Sequence, residues 1–297
     1  VTKCIRLVVL VLAAGPAIVL AADPVTISFR RNQEGEKARR TKVETESKTV
    51  VVSDADGNKR QEQKNSKEHS CTSIEEFLEK TAGKKAAKLK VAFEAAGMKI
   101  NDNAETLTLK GKTVMVERKE KNTTFNFADG EEVQGADAAF LKDEYGGGND
   151  GDDGSLEKAL LPKNPVAVGD TWQGDMQRLA EDFGKDKLTI DVKKSTATCK
   201  LLRIYKKGDM TYGVLDLKLN MIITDLGKAD PNLRLAKDAT MNIHLSMDRC
   251  IDGTTSSGKA TATMELKAMM KVKQDGAELT VNVTNVRTMT ETNEPVK

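Results

Sequence analysis

The residues that could do chemistry are few and scattered. His244, Ser246 and Asp248 carry the residue types of a Ser-His-Asp relay. They sit at alternate positions of one strand-like stretch, so they lie in a row on one face. A relay needs the serine and the acid on opposite nitrogens of the imidazole, and a row does not supply that. Ser155-Leu156-Glu157-Lys158 and Ser256-Ser257-Gly258-Lys259 have the Ser-x-x-Lys spacing of penicillin-binding serine enzymes. The Ser-Asp-Asn and Lys-Thr-Gly partners of that chemistry are absent. Gly253 to Lys259, GTTSSGK, is one residue short of a phosphate-binding loop. Such a loop must feed a helix whose N-terminal amides hold the phosphate, and the residues that follow have a strand period. A hairpin loop is the simpler reading.

Metal chemistry fares no better. Asp150, Asp152 and Asp153 lie in the stretch GGGNDGDDG. An EF-hand loop needs acids at alternate positions, Gly at six and Glu at twelve. Neither a start at Asn149 nor one at Asp150 meets that pattern, so a solvated loop is expected rather than a calcium site. His69 and Cys71 could touch one ion but offer no further ligands. The sequence therefore leads us to expect no enzyme, no resident metal and no cofactor.

The N-terminus points to export. Lys3 and Arg6 precede an apolar run from Leu7 to Leu20, broken at Gly15-Pro16 and ending in Ala21-Ala22. A basic start, a short apolar core and small residues at a cut site describe a signal peptide over 1–22. The run is too short and too broken for a good membrane span, so no transmembrane span is expected after cleavage. The chain carries 47 Lys and Arg against 45 Asp and Glu. Removing Lys3 and Arg6 leaves 45 of each, a net charge of zero. That surface has no broad pull on nucleic acid. The expected location is periplasmic or extracellular, in a bacterium.

Three cysteines remain, Cys71, Cys199 and Cys250, and an exported chain can hold one disulfide among them. Cys199 and Cys250 both fall in strand-like stretches, which favours that pair. Three separate buried thiols are the alternative.

Long strands dominate the elements that must position these groups. From Lys259 to Lys273, Ala260, Ala262, Met264, Leu266, Ala268, Met270 and Val272 are apolar at every second residue. That is a strand with one dry face. Asp275-Gly276 follows as a hairpin turn, and Leu279, Val281 and Val283 continue on the return strand. The same alternation runs through Leu215 to Ile223 and Met241 to Met247. The expected fold is mainly β, an antiparallel meander with a few short helices. Strands of fifteen residues, roughly 50 Å long, must twist, and this predicts a meander curled into a half-barrel or barrel.

The N-terminal half, 23–142, is more mixed. Polar strands flank Asp56-Gly57, and a helix is expected between Ser73 and Met98. Ser73 and Glu76 fit a capping box, and Ile74, Phe77, Leu78, Ala86 and Leu89 keep a helical spacing. Leu89, Val91 and Phe93 also alternate, so a strand stays open there. A flexible Gly/Asp loop spans 143–155, and the meander fills 156–297. Short helices are expected at Ala136–Tyr145 and Leu156–Leu161, and at Met176–Phe183, where apolar residues recur at helical spacing.

Trp172, the sole tryptophan, ends a rigid segment with Leu161-Pro162, Pro165-Val166 and Val168-Gly169-Asp170-Thr171-Trp172. It either plugs one end of the sheet or lines a ligand pocket. This segment, with Gly111-Lys112-Thr113-Val114 and Asp129-Gly130, resembles uncharacterised exported β-rich proteins of planctomycete-type bacteria. The layout is also similar to the lipoprotein-carrier half-barrels of the bacterial envelope, which implies a sheet that cups an acyl chain. Met221, Met241, Met247, Met264 and Met270 on the apolar faces would suit such a ligand, with plain core packing as the alternative. The expected function is a non-enzymatic envelope protein that binds a lipid or another hydrophobic ligand. The other reading is a structural module with a closed core that meets an envelope protein.

Overall fold

The computed structural model describes residues 23–80, 84–119, 122–146, 155–185, 188–226, 233–274 and 277–296. The signal-peptide segment, the Asp150–Asp153 loop and the Asp275-Gly276 turn lie outside the described residues.

The chain begins with six strands: β1 (Lys37–Ser53), β2 (Lys59–Glu79), β3 (Lys88–Ile100), β4 (Asn103–Glu105), β5 (Thr113–Lys119) and β6 (Asn122–Phe127). Helices α1 (Gly135–Tyr145) and α2 (Ser155–Leu160), strand β7 (Thr171–Gln173) and helix α3 (Met176–Lys185) come next. The remainder is strand: β8 (Thr189–Ile190), β9 (Thr196–Lys207), β10 (Met210–Asp225), β11 (Leu233–Leu235), β12 (Ala239–Cys250), β13 (Gly258–Gln274) and β14 (Ala277–Val296). The three helices fall on the stretches where short helices were expected.

All the strands belong to one antiparallel sheet, ordered β6-β5-β3-β2-β1-β14-β13-β12-β10-β9-β7. Strand β1 joins the two halves by pairing β2 on one side and β14 on the other. The turn between β1 and β2 is closed by the Asp54 carboxylate, which accepts from the amides of Asp56 and Asn58. Gly57 takes the left-handed φ of +83° that the turn requires.

The apolar residues of the alternating strands share one face. Leu215, Leu217, Leu219, Met221 and Ile223 of β10 are all buried, and Leu217 stands opposite Cys199 and Leu245. Two larger clusters form on this face. The first gathers Phe77, Leu89, Val91, Phe93, Val114 and Val116 under Phe140, Leu141 and Tyr145 of α1. The second packs Leu201, Leu215 and Leu217 against Ile27, Leu160 of α2 and Leu179 of α3. A third, smaller cluster around Met221 and Met241 extends the second beneath Ala180 and Phe183 of α3. The entering chain crosses this face: Val25 exchanges hydrogen bonds with Val166, and Ser28 donates to Ile251.

Three expectations are corrected. The sheet is not a half-barrel or barrel: it is open and uncurled, with β6 and β7 as unpaired ends. Helices and the N-terminal segment cover its apolar face, so burial needs no closure of the first strand on the last. The half-barrel on which the likeness to lipoprotein carriers rests does not form. The stretch from Ser73 to Met98 is not a helix. It is the end of β2 and most of β3, with Ser73, Glu75 and Phe77 buried at alternate positions. Pairing with β1 and β5 overrides the local helical spacing there. Finally, Cys199 and Cys250 do not pair; they and Cys71 are free and buried. Cys199 lies opposite Leu217 of β10, and Cys250 lies opposite Tyr212 of the same strand. They are two strands apart and offset along the sheet, far beyond the roughly 7 Å Cα limit of a disulfide.

Candidate functional site

Between the first two clusters the apolar face is interrupted by charge. On β1, Ala38 is buried in the first cluster, and Arg40, Lys42, Glu44 and Glu46 follow in the same phase. On β14 the facing positions are Asn293, Glu291, Met289 and Arg287. Helix α1 lays Glu144 across this strip, and the entering chain brings Arg30 and Arg31 from the other side.

Arg40 and Glu144 organise the strip. The Arg40 guanidinium meets Glu144 at 2.5 Å, Glu291 at 2.8 Å and Glu75 at 3.4 Å. Burial alone would lower its pKa, but the three carboxylates outweigh that and hold it well above the usual arginine value. The Glu144 side chain is wholly buried, where desolvation favours the neutral acid. His69 Nδ1 at 3.2 Å, Arg40, and Lys42 at 3.0 Å reverse this and hold its carboxyl far below the ordinary range. Tyr145 donates to Glu75 at 2.9 Å, and burial together with that carboxylate keeps the phenol protonated. Arg118 donates to the carbonyls of Tyr145 and Ala86 and so ties the end of α1 to the segment before β3.

On the opposite wall two guanidiniums converge on one carboxylate. Glu157 of α2 is shared by Arg31 at 2.5 Å and Arg249 at 2.8 Å. Arg249 also lies over the Phe29 ring, 4.2 Å from its centroid. Burial and the neighbouring Arg31 push the Arg249 pKa down despite Glu157. Gly258 makes room for this arginine, since a Cβ there would stand 2.2 Å from Arg249 Cβ.

These walls enclose an open cleft of about 360 Å³. Its basic lining is Arg30, Arg31, Arg40, Lys80, Lys85, Arg118 and Arg249, and its acidic lining is Glu75, Glu144, Glu157 and Glu291. The excess is positive, and the groups are mostly guanidiniums, whose planar donors match carboxylate and phosphate oxygens. A second cavity of about 190 Å³ is lined by Lys42, Glu44, Glu46, Lys67, His69, Asp143 and Arg287. Its charges balance and pair among themselves, as in Lys67 with Asp143 and Arg287 with Glu44. No group of His, Cys, Asp and Glu suited to a metal ion occurs among the described residues.

The residues singled out in the sequence lie elsewhere. Trp172 on β7 donates to the Leu160 carbonyl at 2.7 Å and clamps α2 to the end of the sheet. It lines neither of these cavities. Met221, Met241 and Met247 are buried core residues, and Met264 packs against the third cluster. Met270 is half-buried on β13, opposite Val281 and Leu235. His244 is exposed and pairs with Asp216 of the neighbouring strand, while Asp248 takes the Tyr205 hydroxyl at 2.6 Å. The GTTSSGK loop feeds β13, a strand.

Arg40, Glu75, Glu144, Glu157, Arg249 and Glu291 carried no motif. The available signal was the phase of β1, where charges continue the positions that Ala38 begins. A charge in the buried phase of a strand needs a partner from another element.

No helix among the described residues is long and apolar enough to cross a membrane. No family model matches the chain, and no curated protein matches it. Among solved structures, OpdQ of Pseudomonas aeruginosa aligns over 88% of this chain and 98% of that one, at 7% identity and a TM-score of 0.21. At that score the likeness carries no argument about fold or function.

Proposed function

We propose that the chain is a non-enzymatic, exported binding module whose charged cleft takes a small polyanion. The ligand class is one that bears two or more carboxylates or phosphate groups. The observation that carries this reading is the guanidinium-rich lining of the open cleft, where Arg31 and Arg249 converge on Glu157 beside Arg30, Arg40 and Arg118. A bound polyanion would meet several planar donors at once. A hydrophobic ligand fits the cleft less well, because its walls are ionic and the methionines of the meander are taken up in side-chain packing. The signal-like start of the chain and the resemblance to exported planctomycete-type proteins support the envelope location.

Thermal unfolding with succinate, citrate and inorganic phosphate at matched ionic strength tests this. Citrate or phosphate should raise Tm by several degrees over chloride, as expected when a ligand binds only the folded state. The rise should vanish in Arg249→Met. Equal Tm values in all the salts would overturn the reading.

A further inference from the structure

A further cavity of about 470 Å³ adjoins the charged cleft. Arg30, Asn32 and Ser256 line both, so the two spaces share a wall. That wall is the GTTSSGK loop between β12 and β13, with the entering chain laid against it. Arg30 donates to the Thr254 carbonyl at 3.0 Å, and Asn293 of β14 donates to the Ser256 carbonyl at 3.1 Å. Ser256 is buried, and its hydroxyl donates to the side-chain carbonyl of Asn32. The Cys250 amide closes the loop on the Ser257 carbonyl at 3.1 Å. The loop feeds a strand and so is no phosphate cradle, but it is a fixed partition between two spaces.

The two spaces differ in chemistry. The cleft has an excess of basic side chains, mostly guanidiniums. In the adjoining cavity the charges are matched: Arg30 pairs with Glu36, and Lys37 lies 3.7 Å from Glu76. The rest of its lining is neutral. Pro295 and Val296 at the end of β14 give apolar surface, and Thr254 and Thr255 give hydroxyls. Thr254 gives its hydroxyl hydrogen to Asp252 at 2.6 Å, and Thr255 accepts from the Ser257 amide at 3.3 Å. By valence, Thr254 can still accept and Thr255 can still donate. A cavity of this size lies within the range of small-molecule pockets. An anion seated in the cleft would carry any uncharged part past Arg30 into this space. Arginine meets phosphate oxygens with its N–H edge and aromatic rings with its face, and Arg30 stands where a charged head and a ring-bearing tail would join.

We infer that the ligand of the cleft is a head-and-tail molecule of the nucleotide kind. Its phosphate groups lie among the guanidiniums, and a neutral, hydrogen-bonding aromatic ring occupies the cavity beside Thr255 and Val296. The inference rests on the polyanion reading of the cleft and adds the tail.

Calorimetric titration of the full chain with inorganic tripolyphosphate, adenosine triphosphate and uridine triphosphate, at one salt concentration and without magnesium, tests it. Tripolyphosphate should bind, and at least one nucleotide should bind at least tenfold more tightly. Thr255→Phe, which fills the adjoining cavity, should bring that nucleotide down to the affinity of tripolyphosphate and leave tripolyphosphate itself unchanged. Val296→Ser, which removes apolar surface, should weaken the nucleotide two- to fivefold. Arg249→Met should weaken head and nucleotide alike. Equal affinities for tripolyphosphate and both nucleotides would overturn the inference while the polyanion reading stands. So would a nucleotide advantage that survives Thr255→Phe. Absence of binding by all three would overturn the polyanion reading and the inference with it.

Discussion

The apolar clusters and the charged cleft occupy the same face of the same sheet, a few strands apart. In the second and third clusters, the inward positions of β10 from Leu215 to Ile223 are leucine, methionine or isoleucine, and the packing partners are interchangeable in kind. In the charged strip, the inward positions of β1 from Arg40 to Glu46 are ions, and Arg40 and Lys42 take their partner Glu144 from α1. Hydrophobic burial is non-directional and tolerates such substitution. A buried ion is held only while its partner stays. The contrast explains why one part of this face serves as scaffold and the other is open to specific chemistry.

Predictions that break the comparison come first. Glu144→Gln removes the one wholly buried carboxylate beside Arg40, Lys42 and His69. Leaving those groups uncompensated should cost about 3–5 kcal/mol in urea unfolding. A cost below about 1 kcal/mol would show that the strip is not a coupled unit. Leu217→Ala, in the second cluster, should cost about 2–4 kcal/mol through loss of buried area and a cavity.

Acidity should separate the two regions further. Glu144 has a folded-state pKa depressed below its unfolded value. Its contribution is therefore complete above the ordinary carboxylate range, near pH 4.5, and is lost as pH falls from there towards the folded-state value. Unfolding measured between pH 6 and pH 2.5 should lose stability more steeply in the wild type than in Glu144→Gln. Parallel curves would contradict the assignment.

The smaller effects sharpen the picture. Trp172→Phe keeps the ring but loses the bond to the Leu160 carbonyl, and should cost about 1 kcal/mol. Val43→Thr, on the exposed face at 45% exposure, should change stability by less than about 0.5 kcal/mol.

The scaffold was legible in the sequence because period-two alternation is a direct imprint of one buried face. The strands from Leu215 to Val283 were readable on that basis, and the helix at Met176 from its helical spacing. The curl was not, because alternation records which side is dry and says nothing of whether the first strand meets the last. Ser73 to Met98 misled because Ile74, Phe77 and Leu78 satisfy a helical spacing as well as a strand in which Phe77 faces in and its neighbours face out. The cleft was hidden for a different reason. Arg40, Glu144 and Glu291 are far apart in sequence, and only the strand order β2-β1-β14 beneath α1 brings them together. Each alone looks like an ordinary surface charge.

The central claim is that the guanidinium-lined cleft takes a polyanion and that Arg249 helps to hold it. The most direct measurement is calorimetric titration of citrate into the wild-type chain and into Arg249→Met at one fixed salt concentration. The account predicts saturable binding by the wild type, weakened at least tenfold by the substitution. Identical titrations for the two chains, or no binding by either, would contradict it.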